Sequence, residues 1–310
     1  MKYALFSVPV GTIYDLPQTI KEGEGKSVYP MQLAQGSTFN GFFNNYDGLA
    51  SGLQPIGVKY DDASRKVVCT LEQDDIMDGL NWLHKWYQDG IINPDANVVT
   101  DGGKGSIFGS AQGWPAAATT WAFNQGIEKY DLAQVFGPLY TTETIQGSMN
   151  AISANSKYKT EALKVLQLMN TDPKFRDMCA YGTEGNYMEY AEDGTVQKLR
   201  DDWNWPSYTQ GTFFILSTQA DGDPDAWNQV KEQNESATAS TCLGFALDVT
   251  NIQNEVANCN TVWDKYKNDL LTGASDPATA VPACIEELKA AGLDTVIEEA
   301  QKQVDEFFAN

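Results

Sequence analysis

Histidine is almost missing from this 310-residue chain, with His84 standing alone. A single imidazole leaves no second histidine to complete a metal site or a proton relay, and His-dependent nucleophilic mechanisms would all have to run through it. No G-x-S-x-G elbow and no G-x-x-x-x-G-K-[ST] loop is present, and Gly102, Gly103 and Gly105 lack dinucleotide-binding spacing. Basic residues are scarce as well: 21 Lys and Arg face 42 Asp and Glu, a formal net charge of -21. Such a surface repels nucleic acid and anionic lipid, and no Lys/Arg cluster offers a local exception. Long apolar runs are absent, since no segment reaches the roughly 18 residues a spanning helix needs. The opening MKYALFSVPVG carries no small-residue cleavage site. The five cysteines, Cys69, Cys179, Cys242, Cys259 and Cys284, are odd in number, widely spaced and without C-x-x-C. That pattern is neither a zinc signature nor a disulfide framework, and it predicts at least one free thiol.

What is present is enough for real cores: hydrophobics make up 42% and aromatics 11% of a chain long enough for two domains. Gly147 to Tyr187 carries the clearest order of elements. Met149 to Ser153 alternates like a half-buried strand. Asn155 and Ser156 offer caps to a helix whose apolar positions are Ala162, Val165, Leu166 and Met169. Asp172 caps a second helix with Pro173 in its first turn, and Gly182 and Gly185 bracket Glu184. Elsewhere the pattern predicts a helix from Thr12 or Tyr14 to Ile20 and a strand near Tyr29 to Leu33. A hairpin is expected for Ile56 to Tyr60 with Lys66 to Thr70, and another around Glu192-Asp193-Gly194. Asp75 to Gln88 reads as an amphipathic helix stopped by Gly90. Ile252, Val256, Cys259, Trp263, Tyr266 and Leu270 form one helical stripe ended by Gly273, followed by helices Pro282 to Ala290 and Asp294 to Phe308.

Two chemical patterns reward a closer look. Asp221, Asp223, Asp225 and Glu232 fall at calcium-loop spacing, but Ala226 stands where that loop needs glycine and Pro224 intrudes, so Asp223-Pro224 reads as a helix start. With 42 carboxylates, a glycosidase pair can be drawn anywhere, and spacing selects none. The eight tryptophans are more informative. Trp82, Trp86 and Trp263 sit on helical stripes and belong to cores. Trp114 and Trp121 lie in GSAQGWPAAATTWAFNQ, and Trp203, Trp205 and Tyr208 lie in DDWNWPSYTQG, outside any regular period. Flat indole faces in such places suit stacking on a sugar ring, and they equally suit covering a loop.

The ordered series TIYDLPQTIKEGEGKSVYPM, LNWLHKWYQDGIINPD, GSMNAISANSK, TDPKF, YGTEGNY, NWPSY, LGFALDVTNIQNEVANC and AAGLDTVIEEAQKQVDEF resembles the extracellular solute-binding lipoproteins of bacterial ABC importers. That family includes maltodextrin receptors, and the nearer likeness is to its LipO-like branch with a C-terminal helical region. The resemblance implies a type II periplasmic-binding-protein-like α/β fold, mostly the second lobe with a partial first lobe. Residues 1–145 and 241–310 would form the second lobe, and 146–240 the returning, incomplete segment of the first. It places Met1 in the middle of the family pattern, so the chain is expected to be N-terminally truncated and its 146–240 segment to expose edge and apolar surface. It further implies capture of a small solute, a carbohydrate or oligosaccharide, in an interlobe cleft and delivery to permease membrane subunits. No cofactor, no catalysis and no nucleic-acid partner are implied, and the full-length form would be extracellular and lipid-anchored. The residues expected at the ligand are Trp114, Trp121, Thr38, Glu184, Trp203, Trp205 and Tyr208; Trp114 and Trp121 follow the Gly105 to Gly113 segment, where family members stack ligands. A glycoside hydrolase and a surface adhesion module are the alternatives.

Overall fold

The computed structural model describes residues 29–101, 113–115, 136–147, 149–200, 202–203, 205, 209–220 and 222–309. The helix expected between Thr12 and Ile20 lies outside these residues. In chain order the described strands and helices are β1 (Tyr46–Asp47), β2 (Ile56–Lys59), β3 (Val67–Cys69), α1 (Asp74–Gln88), β4 (Leu139–Tyr140), α2 (Thr142–Gln146), α3 (Lys159–Thr171) and α4 (Pro173–Tyr181). They continue as β5 (Met188–Tyr190), β6 (Val196–Lys198), α5 (Ala226–Glu235), β7 (Thr238–Ala239), α6 (Gln253–Leu271), α7 (Pro277–Ala290) and α8 (Leu293–Phe308). The described residues divide into two compact units, one of 29–101, 136–144 and 238–309, the other of 113–115 and 145–237.

In the first unit β1, β2 and β3 form an antiparallel sheet, with Ile56 opposite Cys69 and Val58 opposite Val67. The hairpin is the expected one, and Asp62 closes it by accepting from the Ser64 amide at 2.8 Å. The β-branched residues Ile56, Val58 and Val67 are buried in one core with Ile76, Leu80, Leu83 and Trp86 of α1. Gly79 leaves room for the Phe42 ring, whose atoms lie 2.8 Å from where a Cβ would stand. From α6 come Val256, Cys259, Trp263 and Leu270, the stripe that the period predicted. Extended backbone at 29–33 makes only a single bridge, Met31 to Ile92, and is not a strand of a ladder. The second-last helix also starts earlier than expected. Asp276 accepts from the Ala278 amide at 2.9 Å, so α7 begins at Pro277 and carries Pro282 within it. Both prolines signal a helix start, and the aspartate cap decides between them. Residues Leu139 and Tyr140 pair in parallel with Thr238 and Ala239.

The second unit is smaller. Asp172 caps α4 by accepting from Phe175 N at 3.0 Å, as its sequence predicts. Ser156 Oγ accepts from Tyr158 N just before α3, yet only Met169 of that helix is buried. Ala162 and Leu166 are half-buried, while Val165, Leu163 and Leu168 are exposed, so the covered stripe is narrower than the spacing implied. Met149 to Ser153 is not a strand: it pairs with none of the described strands, and Met149 is 74% exposed. Alternation marks a strand only where a neighbour supplies the ladder bonds. A compact core of Tyr181, Met188, Val196 and Leu216 forms instead around the β5–β6 hairpin, whose pairing is antiparallel as expected.

Two outcomes follow from the packing. Gly273 ends α6 at φ +78°, and a Cβ there would lie 2.2 Å from the Leu83 carbonyl oxygen. Gly273→Ala should therefore cost at least about 2 kcal/mol in chemical denaturation, whereas Gly36→Ala, with open space around it, should cost about 1 kcal/mol; equal losses would contradict this packing. All five cysteines are free and four of them are buried. Burial pushes the thiols of Cys69, Cys242 and Cys259 up to about 11 and that of Cys284 up to about 12. A thiol reagent at mildly alkaline pH should then label at most Cys179 in the native chain and all five after unfolding; fast labelling of the buried four would refute it.

Candidate functional site

The expected ligand residues are distributed over both units. Thr38 belongs to the first, half-exposed before the buried Phe39. In the second unit Trp114 is half-buried, Glu184 is exposed and Trp205 is 37% exposed. Trp121 and Tyr208 lie outside the described residues.

Around Glu184 the chain builds a tight loop. Gly182 has φ +89°, and a Cβ on it would meet Tyr187 Cβ at 2.5 Å, so only glycine lets Tyr187 fold back. The Thr183 carbonyl accepts from the Tyr187 amide at 2.9 Å, and the Gly185 amide donates to the Met188 carbonyl at 2.8 Å. The loop thereby holds Glu184 at its tip, facing solvent. Tyr187 carries two further groups. Trp203 packs on its ring at 5.2 Å between centroids, and the Arg200 guanidinium lies 4.7 Å from the ring centre. Arg200 is itself held by Asp202, whose carboxyl that ion pair keeps below the usual carboxylate range. Trp203 is fixed at its other end by donating Nε1–H to the Cys179 carbonyl at 3.0 Å. The structure thus brings Trp203 and the Glu184 loop together through Tyr187.

Beneath this surface lies a buried carboxylate. Asp177 is 1% exposed and accepts from Tyr190 Oη at 2.9 Å, Ser217 N at 2.9 Å and Ser217 Oγ at 2.8 Å. Its neighbour Arg176 donates Nε–H to the Thr212 carbonyl at 3.0 Å and lies over the Phe213 ring. Burial, then the hydrogen bond to Asp177, pushes the Tyr190 phenol up and keeps it a donor. Tyr187, Arg200, Asp202 and Asp177 escaped sequence reasoning. The available signal was the adjacent pair Arg176-Asp177 in the middle of a helix with buried positions, since charges there need partners. Among the described residues no group of His, Cys, Asp and Glu is arranged to hold a metal ion, and no helix is long and apolar enough to cross a membrane.

With this geometry in view, the comparisons are consistent. Residues 241–309 match a family model described as a domain of unknown function (DUF3502). Over its whole length the chain is 25% identical to a carbohydrate ABC transporter substrate-binding protein of Streptococcus pneumoniae serotype 4, and it spans 65% of that relative. The crystal structure of the N-glycan transport solute-binding protein NgtS from Streptococcus pneumoniae superposes with a TM-score of 0.85 at 24% identity, covering 99% of this chain and 70% of NgtS. NgtS in complex with Man1GlcNAc gives 0.82 at 25% identity over the same shares of the two chains. The chain thus has the α/β fold of the solute-binding proteins of ABC importers, and the resemblance seen in its motifs is borne out.

The tethering of Trp203 has a measurable consequence. Trp203→Phe keeps the ring contact but removes the donor to Cys179, so it should lower stability by about 1 kcal/mol, while Trp205→Ala should stay within about 0.5 kcal/mol. Denaturant titration followed by far-ultraviolet circular dichroism checks both, and equal losses would contradict the different roles.

Proposed function

We propose that this chain is the solute-capturing component of an ABC importer, that its solute is a neutral carbohydrate or oligosaccharide, and that it hands the solute to permease subunits without making or breaking a bond. The alignment of the entire chain with a carbohydrate ABC transporter substrate-binding protein carries this proposal. The charge of -21 disfavours anionic solutes and by itself identifies no ligand. Residues 1–145 and 241–310 are proposed as the second lobe and 146–240 as returning chain of the first. Extracellular location on a lipid anchor belongs to the same proposal.

Ligand contacts are proposed for Trp114, Trp121, Thr38, Glu184, Trp205 and Tyr208. Trp203, with its N–H already given to Cys179, is proposed as the prop that fixes Tyr187 against the Glu184 loop. An indole face suits stacking on sugar C–H groups, and the exposed Glu184 suits accepting from hydroxyls.

A thermal-shift panel of neutral oligosaccharides, acidic oligosaccharides, amino acids and peptides tests the solute class. A bound sugar at a hundred times its Kd stabilises by about 2.7 kcal/mol, and an upward shift confined to neutral sugars is the expected result. A shift with peptides or amino acids alone would replace the carbohydrate assignment. Trp114→Ala and Trp121→Ala should each weaken binding of the active sugar about fivefold, equivalent to about 1 kcal/mol. Unchanged affinity in both would remove these residues from the site. Chromogenic glycosides should show no turnover.

A further inference from the structure

Two stretches of chain in the second unit carry proposed solute contacts, and one guanidinium touches both. The β5–β6 hairpin sets them side by side. Met188 pairs with Lys198, and one residue further out the Leu199 amide donates to the Tyr187 carbonyl at 2.8 Å. The Glu184 loop therefore ends at the mouth of the hairpin, where Arg200 begins the chain towards Trp203 and Trp205. Arg200 engages all three of its nitrogens there. Nε donates to Asp202 Oδ1 at 2.9 Å, and Nη2 donates to Asp202 Oδ2. Nη1 donates to Asn186 Oδ1 at 3.4 Å, and the guanidinium carbon lies 4.7 Å from the centre of the Tyr187 ring. Asn186 and Tyr187 belong to the Glu184 loop, whereas Asp202 directly precedes Trp203.

The loop has little else to hold its tip. Thr183, Glu184, Gly185 and Asn186 are all exposed, so no apolar burial anchors them, and Gly185 stands at φ +77° in open space. The bonds from Asn186 N and Tyr187 N to the Thr183 carbonyl shape the loop without reaching the segment that carries the two tryptophans. From that segment Trp203 meets Tyr187 at the base of the loop, and Arg200 reaches one residue nearer the tip, to Asn186. Lysine does not replace it: an ammonium is a point charge, whereas the planar fork grips a carboxylate with two N–H groups and keeps a third donor and a flat face for the loop. An exposed ion pair of this kind is worth little to overall stability, so its effect is local. We infer that Arg200 is a positioning residue for solute capture: it clasps the Glu184 loop to the segment of Trp203 and Trp205, so that the Glu184 carboxylate and the Trp205 indole meet one solute as a single edge. This rests on the proposed solute contacts of Glu184 and Trp205 and gives Arg200 a role through them, with no contact of its own to solute. The ion pair keeps both Arg200 and Asp202 charged and so sustains the clasp.

Hydrogen exchange and calorimetric titration of Arg200→Lys test the clasp and its use. The Asn186 and Tyr187 amides should exchange roughly threefold faster than in the wild-type chain, with the denaturation midpoint unchanged. Maltotriose and N,N′-diacetylchitobiose are the solute probes. The sugar that binds should bind Arg200→Lys about threefold more weakly, yet the same substitution should cost nothing further in a background carrying Glu184→Ala and Trp205→Ala. Exchange that stays the same in Arg200→Lys removes the clasp, whatever the sugars do. Faster exchange with unchanged sugar affinity, or a loss that persists in the doubly substituted background, removes the positioning role. A lowered midpoint with exchange raised throughout the unit makes Arg200 a general structural residue and overturns the role as well. A wild-type chain that binds neither sugar counts against carbohydrate capture and leaves Arg200 no solute to position, while the exchange result judges the clasp independently.

Discussion

The buried Asp177 carboxylate ties the β5–β6 hairpin and the loop at Ser217 to α4 in the 145–237 unit. Its oxygens gather Tyr190 from the β5–β6 hairpin and both the amide and the hydroxyl of Ser217 from the long loop, while its own helix is capped by Asp172. A buried carboxylate without partners is costly, so three donors converge on it and three separate pieces of chain become one body. Tyr181 adds a fourth tie by donating to the Ser217 carbonyl at 2.7 Å. In the same unit the Tyr187 ring packs on Trp203, with 5.2 Å between centroids. Hydrogen bonding contributes visibly to this small unit, where among the described residues Tyr181, Met188, Val196 and Leu216 form one apolar cluster with their half-buried neighbours.

The first unit works in the opposite way. A large continuous core runs from Met31 to Val304 and joins the three-stranded sheet to α1, α6, α7 and α8. Apolar burial supplies its stability and its rigidity. The chain is thus built as one broad apolar body and one smaller hydrogen-bonded body, and the lone His84 lies with Nδ1 2.8 Å from the Gly273 carbonyl oxygen.

Much of this was legible from residue spacing, and the misses have physical causes. The Asp62 hairpin, α1 with its Gly90 stop, the α6 stripe and the Asp172-Pro173 cap are all local signals, and local signals survive folding. Met149 to Ser153 failed because a strand is a property of two segments, and alternation reports only one of them. Pro282 misled because proline at a helix start and proline tolerated inside a helix look alike until Asp276 is seen to hold the Ala278 amide. At the surface, the exposure of Glu184 and Trp205 agrees with their loop setting, whereas Trp203 turned out to be tied down by a backbone carbonyl that no sequence pattern marks. Tyr187 and Asp177 were hidden for the same reason: their importance comes from partners far along the chain.

Calorimetric titration of the chain with a neutral oligosaccharide is the most direct measurement of whether it captures sugar. Saturable one-site binding with a negative heat-capacity change, the mark of apolar ring faces leaving water, is the expected result. Absence of heat and of competition across neutral oligosaccharides, with binding instead of a charged or peptidic solute, would contradict carbohydrate capture.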